Sequence, residues 1–244
     1  GWSMILIGID DTDTLSSPGT NQLARRLVAR LPRGYRATMI LRHQLLFDPR
    51  IPYTSQNGSA SIGVEADRDG DPATLVSLLR QEIRAWYVSG SDPGLCVADR
   101  VPAGVVEFGR RCQRDLVTQR EARDLARDAG LLLEGFGGTE DGVIGALAAV
   151  GLRAGGDDGR VIHQPEWAWP DGFAGAHPVA AIRARGVDEV RELGSDAAVD
   201  RGTVDVGKRL RPNVRQGRVV LFVEAAGPAL GGSGGAEWRA LKLP

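Results

Sequence analysis

An apolar run without interruption, Met4-Ile-Leu-Ile-Gly-Ile9, ends abruptly in Asp10-Asp11-Thr12-Asp13. A run this short and this apolar reads as a buried strand, with the acids at its C-terminal end. Leu23, Leu27 and Leu31 then recur at i, i+4 and i+8, one face of an amphipathic helix over 20–31 that stops before Pro32. Segments 36–47 and 59–65 alternate as strands, joined by a polar loop that contains proline. Asp71-Pro72 gives an N-cap with proline at the first helical position. Leu75, Leu78, Leu79, Ile83 and Trp86 continue at helical spacing. Strand, helix, strand, strand, helix is the order of a ferredoxin-like half.

Further along, Thr118-x-x-Glu121 is a capping box opening a helix that ends at Gly130. The next helix is expected from Thr139 to about Gly151. Beyond residue 156 the chain turns rich in Gly, Pro and Trp. Short strand-like runs follow at 179–183, 203–206, 217–224 and 236–241, and Gly227–Gly235 reads as a flexible hairpin loop. The expected class is α+β. An ATP-binding, ferredoxin-like or kinase-like α/β domain would span 4–155. A smaller α+β, ferredoxin-like domain, a candidate for acceptor binding, would span 156–244.

Charge separates few functions here. The formal net charge is −1, with basic residues scattered, so no dedicated nucleic-acid surface stands out. Lys208 and Lys242 are the only lysines, which limits any mechanism that needs a catalytic lysine to two candidates. Cys96 and Cys112 are too few and too far apart for a disulfide framework or a zinc site. No signal peptide or membrane-length apolar run is visible, which leads us to expect a soluble, cytoplasmic protein. Gly1-Trp2-Ser3 ahead of Met4 reads as a tag remnant outside the fold.

Three carboxylates after a buried strand repel one another unless a cation neutralises them. Hard oxygen ligands in that position suit Mg²⁺ bridged to phosphates, though an acidic helix cap would use the same residues. Asp11-x-Asp13 also matches the start of a haloacid-dehalogenase-type phosphatase motif. That chemistry needs a lysine followed by a later acidic pair, and here Asp157-Asp158 precedes Lys208, so the order excludes it.

The loop Gly135-Phe-Gly-Gly-Thr-Glu-Asp-Gly142 runs straight into an apolar helix. Glycines let several N–H groups converge on a phosphate, and the helix dipole favours the anion. A plain helix start with Thr139 as N-cap is the other reading, and no Gly-Lys-Ser/Thr follows. Thr54, Ser55, Asn57, Gly58 and Ser59 can bind a ribose, a base edge or phosphate oxygens, while Asn57-Gly58 is equally a tight-turn signal. Gly207-Lys208-Arg209-Leu210-Arg211-Pro212-Asn213 is a local basic cluster, either a solvated loop or a contact to phosphate or RNA.

Three elements in this order resemble the archaeal isoleucine-tRNA agmatinylcytidine synthetase family. They are Gly8-Ile9-Asp10-Asp11-Thr12-Asp13, then Pro52-Tyr53-Thr54-Ser55-Gln56-Asn57-Gly58, and then Gly138-Thr139-Glu140-Asp141-Gly142-Val143-Ile144-Gly145 with the helix to Gly151. The match covers about residues 4–155. It implies an ATP-using kinase-like domain followed by a ferredoxin-like domain. It also implies that Asp10, Asp11 and Asp13 hold Mg²⁺ and the ATP phosphates, with Asp11 and Asp13 as catalytic groups. Thr20 would match a threonine that carries phosphate in the family. Thr12, Thr54, Asn57, Gly58, Ser59, Gly137, Gly138, Thr139, Asp141 and Gly142 are the remaining nucleotide-binding candidates.

The family's nucleic-acid-binding barrel and cysteine zinc ribbon have no counterpart in this chain, and residues 160–244 match poorly. The expected activity is therefore ATP- and Mg²⁺-dependent phosphotransfer or ligation onto a nucleoside, RNA or amine acceptor. A partner protein could deliver RNA, and a homodimer would be compatible. The rival reading is a non-catalytic nucleotide- or RNA-binding module of the same fold.

Overall fold

The structure is a computed structural model that describes residues 3–10, 19–48, 50, 57–168, 172–227 and 235–244. It divides into two compact units, residues 1–155 and 156–244.

Unit 1 is built on β1 (Ser3–Asp10), the apolar run itself. It lies between β3 (Gly58–Ala66) and β4 (Gly94–Ala98), antiparallel to both. β2 (Tyr35–Gln44) adds outside β3, and β5 (Leu132–Gly135) outside β4. The spatial order is β5-β4-β1-β3-β2. With α1 (Thr20–Ala29) between β1 and β2, and α2 (Pro72–Trp86) between β3 and β4, this is a ferredoxin-like βαββαβ sheet extended by one strand. Ser3 pairs with Ala66, so the strand begins ahead of Met4, at a residue whose sequence context suggested a tag.

Because side chains alternate along a strand, β1 sorts its residues cleanly. Ile5, Ile7 and Ile9 face one way, toward Leu23 and Leu27 of α1 and Leu75, Leu79 and Ile83 of α2. All but Ile5, at 8 %, are at most 1 % exposed. Fully burying each such side chain contributes about 1.5–3 kcal/mol. Glu82 of α2 is buried on this layer and accepts from Arg26 Nε at 2.5 Å and Arg30 Nη1 at 3.1 Å, tying α2 to α1. Asp71 caps α2 as its sequence indicates, accepting from the N–H groups of Ala73 and Thr74.

Three further helices form the second core: α3 (Ala103–Cys112), α4 (Gln119–Ala129) and α5 (Gly142–Gly155). The Thr118–Glu121 capping box opens α4, and Gly130 closes it in the left-handed conformation. α5 is buried along most of its length because glycines let it approach backbone directly. A Cβ on Gly8 would overlap the Ala146 carbonyl, and one on Gly151 would overlap the Val105 carbonyl.

Unit 2 contains β6 (Arg160–His163), β7 (Ala176–Pro178), α6 (Val179–Arg183), β8 (Glu189–Glu192), β9 (Thr203–Asp205), β10 (Asn213–Arg215), β11 (Arg218–Ala225) and β12 (Trp238–Ala240). Its strands run in the order β6-β10-β11-β12-β9-β7, with β8 parallel to β11. Residues 179–183, expected as a strand, form α6. Pro178 fixes an extended N-cap there, and Val179 and Ile182 are buried at helical spacing. α6 is the one helix of unit 2 among the described residues, and the βαββαβ order is found in unit 1. Gly227 and Gly235 flank the expected hairpin loop, whose residues 228–234 lie outside the described residues. Among the described residues no helix is long and apolar enough to cross a membrane.

Candidate functional site

The apolar face of β1 ends at Ile9, and the next residue, Asp10, points to the α5 side of the sheet. Asp10 is 8 % exposed and sits opposite Gly94 of β4. Its carboxylate lies against Gly145 in the first turns of α5, where any Cβ would overlap Oδ2. A carboxylate at the positive end of a helix dipole is stabilised there. Close approach is built in on both sides. A Cβ on Gly94 would overlap the Gly142 backbone, and one on Gly142 would overlap the Asp92 carbonyl. The end of the acidic strand and the start of the glycine-led helix therefore meet through four positions: Asp10, Gly94, Gly142 and Gly145. Close packing at Gly145 was legible in the sequence; its neighbour was not.

Nearby, α3 ends at Cys112. Burial is the main cause pushing its thiol up to about 12; the Asp10 carboxylate adds in the same direction and Arg111 opposes it.

β3 brings a second group of polar residues to the same face. Ile9 pairs with Ala60, which sets Ser59 beside Asp10 on the neighbouring strand. His43 pairs with Ser59, and its Nε2 lies 2.8 Å from Ser61 Oγ. His43, Ser59 and Ser61 are all at most 1 % exposed. The Ser59 hydroxyl has no hydrogen-bond partner among the described residues, and a buried polar group left so is costly. His43 and Ser61 were not marked by sequence reasoning, because a lone histidine in a strand carries no motif.

Asn57 and Gly58 serve the β2–β3 connection. The Asn57 carbonyl accepts from Leu45 N–H and Gln44 Nε2, and its side-chain amide donates to the Leu46 carbonyl at 2.8 Å. Gly58 leaves room for the Arg42 guanidinium.

The loop before α5 has a different organiser from the one expected. Asp92 accepts from Thr139 Oγ1 at 2.5 Å and from Glu140 N–H at 3.0 Å. A side chain on Gly138 would collide with that carboxylate, and one on Gly137 with the Tyr87 ring. Gln119 donates to the Thr139 carbonyl and to Asp141 Oδ1. Arg123 pairs with Glu140 at 2.7 Å.

Glu140 takes a left-handed φ of 64°, so the helix starts at Gly142 and not at Thr139. Two donors that a phosphate would use are thus already on a carboxylate of the chain itself. Asp92 went unmarked in the sequence, although Ser91-Asp92-Pro93-Gly94 is a turn-rich segment.

Thr20 is the first residue of α1, 8 % exposed, on the helical layer opposite α5. Asp11, Thr12, Asp13 and Thr54 lie outside the described residues. Among the described residues no group of three or more His, Cys, Asp or Glu is arranged to hold a metal. At this end of β1, Asp10 supplies a hard, buried oxygen donor of the kind Mg²⁺ prefers.

No family model matches the chain. A curated relative, the isoleucine-tRNA 2-agmatinylcytidine synthetase TiaS of Cenarchaeum symbiosum (strain A), is 25 % identical over 208 residues, covering 78 % of this chain and 46 % of the relative. The chain thus spans about half the length of the curated relative it matches. Among solved structures, a tRNA fluorescent labeling enzyme matches at 28 % identity with a TM-score of 0.53. The complex of TiaS with its isoleucine tRNA and ATP matches at 27 % identity with the same score. Each match covers 61 % of this chain and 36 % of the other. The chain is similar to the TiaS family in sequence and in its α+β fold.

Proposed function

On that likeness, we propose that unit 1 binds ATP with Mg²⁺ and that the chain is an ATP-dependent ligase or phosphotransferase of the tRNA-modifying, TiaS-like kind. The observation that carries this reading is the seating of Asp10. A buried carboxylate at the end of the central strand, pressed to the start of α5, joins the acidic and glycine-rich elements into one place. Asp10, with Asp11 and Asp13 following it, would hold the metal, which would neutralise charge on the phosphates when bound. Asn57, Gly58 and Ser59 would border the nucleotide on the β3 side, and Gly137, Gly138, Thr139, Asp141 and Gly142 on the α5 side, with Thr12 and Thr54 as further candidates for binding it. Thr20 is retained as the candidate phosphate-carrying residue.

The chain's own groups position and stabilise charge, which is most of what phosphoryl transfer asks of a protein. The acceptor class is a nucleoside, an RNA or an amine. The second reading, a nucleotide- or RNA-binding module without turnover, is favoured by Asp92, whose carboxylate already occupies loop donors that a catalytic phosphate site would use.

Calorimetry of ATP binding with and without Mg²⁺, on the native chain and on Asp11→Asn/Asp13→Asn, tests the proposal. Metal-dependent binding that the variant loses supports it. Absence of binding in the native chain at high nucleotide and metal refutes it. Metal-independent binding, unchanged in the variant, favours the binding module.

A further inference from the structure

In unit 2 the segment after residue 172 folds back on itself. The Phe173 and His177 rings stack with centroids 3.7 Å apart and 9° between planes. His177 Nε2 lies 2.9 Å from the Ala174 carbonyl, which holds the ring in that pose. The Arg185 guanidinium also lies on Phe173, 4.7 Å from its centroid. The stack is half-exposed, at the edge strand β7.

This edge is joined by backbone to the basic loop. Gly175 N–H donates to the Gly207 carbonyl, and Val206 N–H donates to the Gly175 carbonyl, both at 2.9 Å. Lys208, Arg209 and Arg211 therefore follow directly from the residue bonded to the aromatic turn. Lys208 and Arg209 are exposed. Among the described residues Lys208 and Arg211 have no carboxylate partner. The Arg211 guanidinium is held below its usual range by burial and by the neighbouring Arg209 charge. Asp205, the carboxylate ahead of the loop, accepts from Gly207 N–H. Two arginines close together, beside a lysine with no carboxylate partner among the described residues, gather three cationic side chains within four positions of a chain whose net charge is −1.

We infer that unit 2 carries a contact surface for single-stranded nucleic acid, in which His177 stacked on Phe173 offers a ring face to a base while Lys208, Arg209 and Arg211 meet the flanking phosphates. Stacked rings beside a cationic track are how unpaired strands are held without reading their sequence, since every base has a π-face. A duplex hides its bases in the stack and cannot use the rings. This surface uses none of the residues of the proposed nucleotide site and stands or falls independently of it.

Fluorescence anisotropy of a labelled RNA strand of about 12 nucleotides, titrated with the full chain over roughly 50–200 mM salt, tests the inference. His177→Ala is expected to weaken binding about tenfold, and His177→Phe to restore most of it, as stacking requires. Arg209→Ala/Arg211→Ala should flatten the slope of log K against log salt by about 1.4, at ~0.7 per lost contact to a single strand. The same sequence as a duplex should bind more weakly. ATP binding in each variant, measured alongside, should not change, which separates this surface from the nucleotide site and shows that the variants fold.

Failure of the single strand to bind at the lowest salt overturns the inference. So does binding indifferent to both sets of substitutions, equal binding of the duplex, or equal competition by an acidic peptide.

Discussion

Replacing Gly145 with alanine distinguishes a helix packed against a buried carboxylate from an ordinary one. In an exposed helix interior, Gly→Ala stabilises by about 1 kcal/mol, because glycine loses more backbone freedom on folding. At Gly145 the new Cβ would fall within the Asp10 carboxylate, and Asp10 is itself buried between β4 and the helix. Overpacking of a filled site costs about 1–3 kcal/mol. Setting the upper half of that range against the propensity gain leaves Gly145→Ala destabilising by about 1–2 kcal/mol.

Two controls fix the cause. Gly104→Ala in α3 places its Cβ 3.8 Å from the nearest side chain, so it should be neutral or stabilising. In an Asp10→Ala background the overlap disappears, and Gly145→Ala should then stabilise. The cycle would give a coupling of about 2–3 kcal/mol between the two positions. Urea denaturation followed by circular dichroism at constant slope measures each step. A Gly145→Ala protein at least as stable as the native one, with no coupling to Asp10, would show that the carboxylate is not lodged against α5.

Other contacts in unit 1 have distinct expected outcomes. Glu82→Gln removes the charge that Arg26 and Arg30 share; because both arginines are partly exposed and can rehydrate, the loss should be about 1–2 kcal/mol, well short of a fully buried pair. It would appear as a lower urea midpoint. The N–H and hydroxyl of Thr118, together with Arg111, hold the Glu121 carboxyl at about 2, below its ordinary value near 4.5. A carboxylate with a depressed folded pKa contributes above its unfolded pKa and loses that contribution as pH falls toward the folded one. The gap in urea midpoint between native chain and Glu121→Gln should thus be full at neutral pH and close between about pH 4.5 and 2. Cys96 and Cys112 are buried, with thiols pushed up to about 12. A thiol-exchange reagent near pH 8 should therefore label neither in the native chain and both in urea; fast native labelling of Cys112 would contradict its burial in the core that α3 and α5 share.

The parts of this fold that read directly from sequence are those set by local chemistry. The apolar run of β1, the Leu23/Leu27 face of α1, the Asp71-Pro72 cap and the Thr118–Glu121 box each carry their own signal within a few residues. α3 escaped notice because Pro102 gives it no side-chain cap and its first half, Gly104 to Phe108, looks like a short strand. β4 was hidden for a related reason: Gly94 to Ala98 is only five residues long, and it is a strand because β1 and β5 flank it. At the candidate site, the sequence marked Asp10 and the glycines but not what joins them. Asp92 reaches the 137–141 loop across 47 positions, and no local pattern announces such a pairing. His43 and Ser59 meet only through strand register, which a single sequence leaves open.

We propose that nucleotide and metal meet where β1 ends and α5 begins. Paramagnetic broadening of backbone amide resonances by Mn²⁺ with ATP, on the full chain, locates that place directly. Losses are expected to centre on Asp10, Ser59, Gly94 and Gly142 to Gly145, and to be abolished in Asp11→Asn/Asp13→Asn. Broadening centred in unit 2, or spread evenly over exposed carboxylates, would contradict it.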